Sequence, residues 1–306
     1  MGHSVRSLTA FMLVSSLAAA AEQSPVLAPY TRPTNIAHRG ASGEAPEHTL
    51  AAYRLALTHG ADFVEPDLQL TRDGVLVCLH DTSLERTTDV EAVFPDRATE
   101  VKGRKAWPVA EFTLKEIQQL DAGSWKGRRF AGQRVPTFQQ MIDVVKGRAG
   151  IIPETKAPEV HGKRGLSMER ELMAVLEANG LGTPGADTKT PVIIQSFSAE
   201  SLRSLRKEHG CKLPLAYLFA SDQSAEQLRM MRGFADGIAP SKAVVLKRPE
   251  IVAEAHALGM SVTVWTCRDG STGDFENVSA EMGHLLNVLK VDAIFTDNPD
   301  KFPRGE

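Results

Sequence analysis

Apolar and polar positions along the chain alternate in two rhythms that take turns. Short apolar runs of four to six residues recur (NIAHR, DFVEPD, GIIPE, VIIQS, LAYLF, DGIAP, SVTVW and DAIFT). Between most of them lie stretches with apolar residues every three or four positions, such as MERELMAVLEANG, AESLRSLRKEHG and PEIVAEAHALG. The first rhythm predicts strands buried on both faces and the second amphipathic helices. Gly180, Gly210, Gly233 and Gly259 stand where these helices should stop. Thr113 with Glu116 and Thr137 with Gln140 have the spacing of capping boxes. Eight strands alternating with helices predict an α/β (β/α)8 TIM barrel. A doubly wound open sheet is the alternative, but no glycine-rich phosphate loop follows the first strand.

Two stretches depart from this rhythm. In GADFVEPDLQLTRDGVLVCLHD, Asp73-Gly74 is flanked by two short β-rich runs, which predicts an inserted β-hairpin after the second barrel strand. A two-residue loop there pairs Arg72 with Val75 and sets Asp67 opposite His80. Glu65 and Asp67, two apart, share one strand face. Residues 82–135 then form a long connection of weak pattern, with scattered aromatics and one convincing helix after Thr113. A connection of that length in a compact domain is usually functional, as a lid or a substrate wall. A helix is expected over residues 47–59.

The first 21 residues differ in kind. Arg6, an apolar core LTAFMLVSSLAAAA and Ala19-Ala20-Ala21 before Glu22 make a secretory signal peptide, too short and too isolated for a membrane span. Export is therefore expected, to a periplasm or beyond it, with no stable membrane insertion after cleavage and a mature barrel domain over residues 30–306. The chain is 42% hydrophobic and 24% charged with a formal charge of −3, and losing Arg6 with the leader makes it −4. No basic run argues for nucleic acid. Three cysteines (Cys78, Cys211, Cys267) with no metal-type spacing exclude a disulfide scaffold, and Cys78 reads as a small buried hydrophobe.

Polar residues gather at the predicted strand ends, where barrel active sites are built. Glu65, Asp67 and Glu154 bring three carboxylates from two strands. Without a cation they would repel or take up a proton, and an all-oxygen set suits Ca²⁺ or Mg²⁺ rather than zinc. Acids in unrelated surface ion pairs are the simpler alternative. His38 and His80 reach the same mouth from different elements and suit a base and an acid in one displacement. Arg39 and Lys156 add positive charge beside the carboxylates. An acidic metal cage with basic neighbours is what a phosphate diester requires. The other histidines, His161 among them, read as structural.

The runs HRGASGEAPEHT, VEPDLQLTRDGVLVCLHDTSLERTTDV, PETKAP, WT and FTDNP, in that order, resemble the glycerophosphodiester phosphodiesterase family, and its exported bacterial branch in particular. The resemblance covers residues 36 to 299. It implies a divalent cation on Glu65, Asp67 and Glu154, His38 and His80 as general acid and base, and Arg39 and Lys156 on the phosphate. It also implies Glu47 and Trp265 near the substrate, a small glycerophosphodiester. Two positions depart from the family pattern: many members have Asn where His48 stands, and Ile or Val where Thr155 stands. Other readings are a phospholipase D-like or sphingomyelinase D-like enzyme of the same fold, and a non-catalytic exported binding protein on the same scaffold.

Overall fold

The computed structural model describes Met1, Gly2, Tyr30 and residues 33–101 and 103–304. The expected leader falls outside these residues, apart from Met1 and Gly2. Eleven strand segments form the main sheet. One is the return arm of the hairpin, Leu76–Cys78, and two staves are each split at a proline, into Phe63–Glu65 with Asp67–Leu70 and Gly150–Ile151 with Glu154–Thr155. Eight staves remain, all in parallel pairing. Phe63 pairs with Gly150 and Asp67 with Glu154, so both halves of the split staves meet and the ring closes as a (β/α)8 barrel. Pro66 and Pro153 donate no hydrogen bond, but their carbonyls accept from the amides of Glu154 and Gln195.

Period-two alternation sorts the apolar side chains into two cores. Ile36, Phe63, Ile193, Ala293 and Phe295 cluster with no helical residue among them, which marks the barrel interior. Their strand neighbours Ala37, Val64, Ile194 and Ile294 pack instead against helical residues such as Phe138, Met141 and Leu172. Gly150 is needed for the first of these cores. The Phe63 ring lies over it, and a Cβ there would meet the ring at 2.2 Å.

The strand register positions the chemistry. His38 sits beside Glu65, Asp67 beside Glu154, and Glu154 beside Gln195. His38 ends its stave, Glu65 and Asp67 flank the break at Pro66, and Glu154 and Gln195 lie one residue from the ends of theirs, so neighbouring side chains converge on one rim.

The hairpin differs from expectation by one residue. Leu68 pairs with Cys78 and Leu70 with Leu76, so Thr71 rather than Arg72 faces Val75. The loop is three residues long, and Gly74 takes the left-handed conformation (φ 79°) that closes such turns. The Thr71 hydroxyl donates to Asp73 Oδ1 and accepts from the Val75 amide, which favours this longer turn. Asp67 therefore faces Leu79, and His80 enters the mouth one residue later than the two-residue loop implied.

The first helix spans Leu50–Thr58, because the Thr49 hydroxyl caps it by accepting from the Ala52 amide. Glu47 and His48 thus belong to the preceding loop. Both expected capping boxes are present, at Thr113–Glu116 and Thr137–Gln140. The long connection is more ordered than its pattern suggested. It holds a small hairpin (Thr99–Val101 with Arg104–Ala106) and a core of its own, in which Leu84, Val109, Phe112, Ile117 and Leu120 are fully buried. All three cysteines are buried and free. Among the described residues no helix is long and apolar enough to cross a membrane.

His161, on the helix Pro158–Gly162, is 1% exposed and its Nε2 lies 2.9 Å from Gln69 Oε1, pinning the outgoing hairpin arm to the barrel wall. Burial, and next the nearby Arg164, lowers its pKa from 6.5 to about 4. The folded state thus resists a proton that the unfolded chain accepts. Stability from this group is complete above about pH 6.5 and is lost as pH falls towards 4. Denaturant titrations across that window should show wild-type stability falling faster than that of His161→Gln. Parallel curves for the two proteins would remove His161 as the source.

Candidate active site

Glu65, Asp67 and Glu154 are 1%, 1% and 5% exposed, and one oxygen from each can be chosen so that all three lie within 4.8 Å of one another. The E-x-D spacing across Pro66 keeps the first two on one face, and the sheet register delivers the third. Two unit charges about 4.8 Å apart repel by roughly 3–4 kcal/mol at an effective dielectric of about 20. Counter-charge comes from Lys156, whose Nζ lies 3.1 Å from Glu154 and 3.5 Å from Asp67, and from Arg39, whose Nε lies 3.2 Å from Asp67. The His48 ring adds a contact to Asp67 Oδ2 at 3.0 Å and reaches the Tyr53 hydroxyl with its other nitrogen.

This compensation is uneven. Burial pushes the Asp67 carboxyl up, but Lys156, His48 and Arg39 together hold it well below the usual carboxylate range. Burial and then the Asp67 charge push Glu65 and Glu154 well above that range. One ionised and two reluctant carboxyls, with the Gln195 Oε1 beside them buried and without a hydrogen-bond partner, fit a hard divalent cation.

The backbone around the cluster is strained. Arg39 and His48 both adopt positive φ (58° and 59°), costly for residues with a Cβ by about 1–3 kcal/mol. The strain has a local cause: the Arg39 amide donates to Glu65 Oε2 and the His48 amide to the Arg39 carbonyl. Histidine, like asparagine, tolerates this conformation better than most residues, which eases the strain at His48.

Two histidines complete the rim. His38 ends the first strand, and its Nδ1 lies 2.7 Å from Asp297 Oδ1. His80 follows the hairpin, and its Nδ1 lies 2.6 Å from Asp81 Oδ1. In each case Nδ1–H donates to the carboxylate, which orients the ring and leaves Nε2 as the nitrogen for proton transfer. Burial, and next the charge of Arg39, lowers the His38 pKa in spite of Asp297, which favours the neutral imidazole. The Asp297 carboxyl, although raised by burial, is brought below its ordinary value by His38.

His38, His80, Arg39, Lys156, Trp265 and the three carboxylates line one cavity of about 240 Å³. Trp265 is fixed by its indole N–H, which donates to the Ala239 carbonyl. Phe197 stands edge-on to it at 5.5 Å, under the Lys156 ammonium. Glu47 stands apart from this wall. Its Oε1 accepts from Arg39 and Arg86 and its Oε2 from Arg86, and these contacts, opposing the effect of burial, bring its pKa down to about 2. The sequence reading gave no role to Asp81, Asp297, Gln195 or Arg86. Position was the available signal: Asp81 directly follows His80, and Asp297 and Gln195 sit at strand ends.

The family model for the glycerophosphoryl diester phosphodiesterase family matches residues 38–301. The chain is 32% identical over 314 residues to a glycerophosphodiester phosphodiesterase of Bacillus subtilis, covering 97% of this chain and 94% of that protein. A glycerophosphodiester phosphodiesterase of Haemophilus influenzae is 30% identical over 87% of each chain. The solved structure of an Oleispira antarctica phosphodiesterase in complex with the product sn-glycerol-3-phosphate superposes with a TM-score of 0.70 at 28% identity, covering 88% of this chain and 94% of that one. A glycerophosphodiester phosphodiesterase from Agrobacterium tumefaciens gives a TM-score of 0.67 at 27% identity, with 89% and 99% covered. With the cavity, the carboxylate cluster and both histidines inside the matched span, this chain belongs to the glycerophosphoryl diester phosphodiesterase family.

Proposed function

We propose that this protein hydrolyses glycerophosphodiesters to an alcohol and sn-glycerol 3-phosphate, using one divalent cation, Ca²⁺ or Mg²⁺, and two histidines. The observation that carries the reading is one cavity with a buried three-carboxylate cluster and two imidazoles, each held at Nδ1 by a carboxylate. The Oleispira antarctica relative, with sn-glycerol-3-phosphate bound, supports the same product here. Glu65, Asp67 and Glu154 would hold the cation, which when bound neutralises phosphate oxygens as a Lewis acid.

The remaining groups divide the work by position. Arg39 and Lys156 supply positive charge where a phosphate would lie, and both are held there by the carboxylates beneath them. His38 Nε2, neutral through burial, accepts the proton of the attacking water. His80 donates a proton to the departing alkoxide oxygen, so the P–O bond breaks without releasing a free alkoxide. The two imidazoles end the cycle with one proton exchanged between them through solvent. Trp265 presents an apolar ring on the cavity wall, suited to the carbon face of glycerol.

Glu65→Gln or Glu154→Gln should bind Ca²⁺ and Mg²⁺ far more weakly in calorimetric titrations, since a neutral amide is a poor ligand for a hard cation. Exhaustive chelation should abolish release of glycerol 3-phosphate from glycerophosphocholine, and adding back either ion should restore it. Full activity in a protein shown by elemental analysis to be metal-free would sink the metal site. The same assay run beside intact sphingomyelin separates this reading from a sphingomyelinase D-like one.

His38→Ala and His80→Ala should each lower kcat by about 10²–10⁴, the usual scale for general acid–base groups. The double variant should lose less than the product of the two, because both act in one step. His161→Ala is the contrast: it removes a buried anchor and should cost stability while leaving kcat of the folded protein nearly unchanged. An equal kcat loss in His161→Ala and His80→Ala would overturn the assignment.

The leader pattern of residues 1–21 supports export, with a periplasmic enzyme as the preferred reading. Mature protein recovered from an expressing cell should begin at or close to Glu22. A soluble cytoplasmic product retaining Met1 would contradict it.

A further inference from the structure

His38 and His80 are supported in different ways. His38 ends a barrel strand, is packed edge-on against Phe295, and its partner Asp297 also lies at a strand end. The barrel itself holds that pair. His80 lies beyond the hairpin on a connecting segment, with its side chain 30% exposed and Asp81 29% exposed. Among the described residues its ring has one hydrogen-bond partner, Asp81 Oδ1. What fixes Asp81 is Arg86. The Arg86 Nε donates to Asp81 Oδ2, while Nη1 and Nη2 donate to Glu47 Oε2 and Oε1 at 2.9 and 2.7 Å. Glu47 in turn accepts from Arg39, whose Nε lies against Asp67.

A guanidinium spread over two carboxylates in this way is more than a surface ion pair. It is a rigid planar fork whose three used donors face two different loops. One loop carries His80, and the other runs from His38 to the first helix. We infer that Arg86 is a positioning residue for the proposed reaction, fixing the Asp81 carboxylate on His80 and tying the His80 loop to Glu47. It does for His80 what the barrel does for His38. Because the Arg86 side chain is 43% exposed, solvent screens what the fork adds to stability, and its consequence should appear in the chemical step.

This inference rests on the phosphodiesterase reading, and the test separates the two. In metal-loaded, full-length protein, kcat and KM for glycerol 3-phosphate release are compared for wild type, Arg86→Ala, Arg86→Lys, Asp81→Asn and the Arg86→Ala/Asp81→Asn double variant. Thermal midpoints are recorded for each. Arg86→Ala should lose about 10²-fold in kcat, the usual cost of misplacing a reacting group by roughly 1 Å, with KM little changed. Arg86→Lys keeps the charge without the fork and should recover only a small part. In the Asp81→Asn background the Arg86→Ala loss should shrink, because Arg86 acts through that carboxylate. Millimolar guanidinium should restore part of the kcat of Arg86→Ala, since the site is half-exposed, and nothing in Asp81→Asn. Wild-type kcat in Arg86→Ala, or an equal loss in both backgrounds, would overturn the positioning role while leaving the phosphodiesterase reading intact. An inactive wild type would sink that reading instead.

Discussion

Three carboxylates held within a few ångströms of each other, away from water, cannot all keep their charge unaided. Much of the local structure is a response to that constraint. Lys156 and Arg39 lie against Asp67, the Arg39 amide turns to Glu65, and His48 shares Asp67 Oδ2 with Arg39. The response is partial, leaving Glu65 and Glu154 with carboxyls pushed above their ordinary range. A site whose own cations fully neutralised it would have no use for a metal. This one keeps a deficit of positive charge in a small cavity, which a divalent ion would fill.

The strained backbone belongs to the same arrangement. Arg39 offers its amide to Glu65 from a left-handed conformation, and the loop behind it bends again at His48 before the first helix. Holding two residues there costs stability, and the carboxylate contacts they reach offset part of it. Glu47 lies between the two bends and gathers Arg39 and Arg86. It lies in the loop before the first helix, which begins at Leu50.

The long connection shows where sequence pattern loses resolution. Its core residues Leu84, Val109, Phe112, Ile117 and Leu120 are spaced without a strand or helix period, because short turns and single helical turns present them one at a time. Only the capping box at Thr113–Glu116 gave a local signal strong enough to read. The connection is nonetheless packed, and the Arg72 amide of the hairpin donates to its Phe112 carbonyl. An irregular core is invisible to periodicity because the period is what helices and strands impose.

The sequence by itself determined the alternation of strands and helices, the barrel, and the identity of the carboxylates, histidines and basic residues at the strand ends. These are properties of local spacing and residue chemistry, and they need no knowledge of what lies across the ring. Tertiary structure alone decided the pairings. That Asp297 supports His38 from 259 residues away, that Gln195 reaches Glu65, and that Arg86 bridges to Glu47 depend on which staves and loops become neighbours. The one-residue slip of the hairpin belongs here too. Thr71 hydrogen bonds chose a three-residue turn over the two-residue one that Asp73-Gly74 suggested, by a margin that a dipeptide preference does not encode. Side-chain type fixes what a group can do, while its pKa, partner and direction are set by groups that the chain brings near only when it closes.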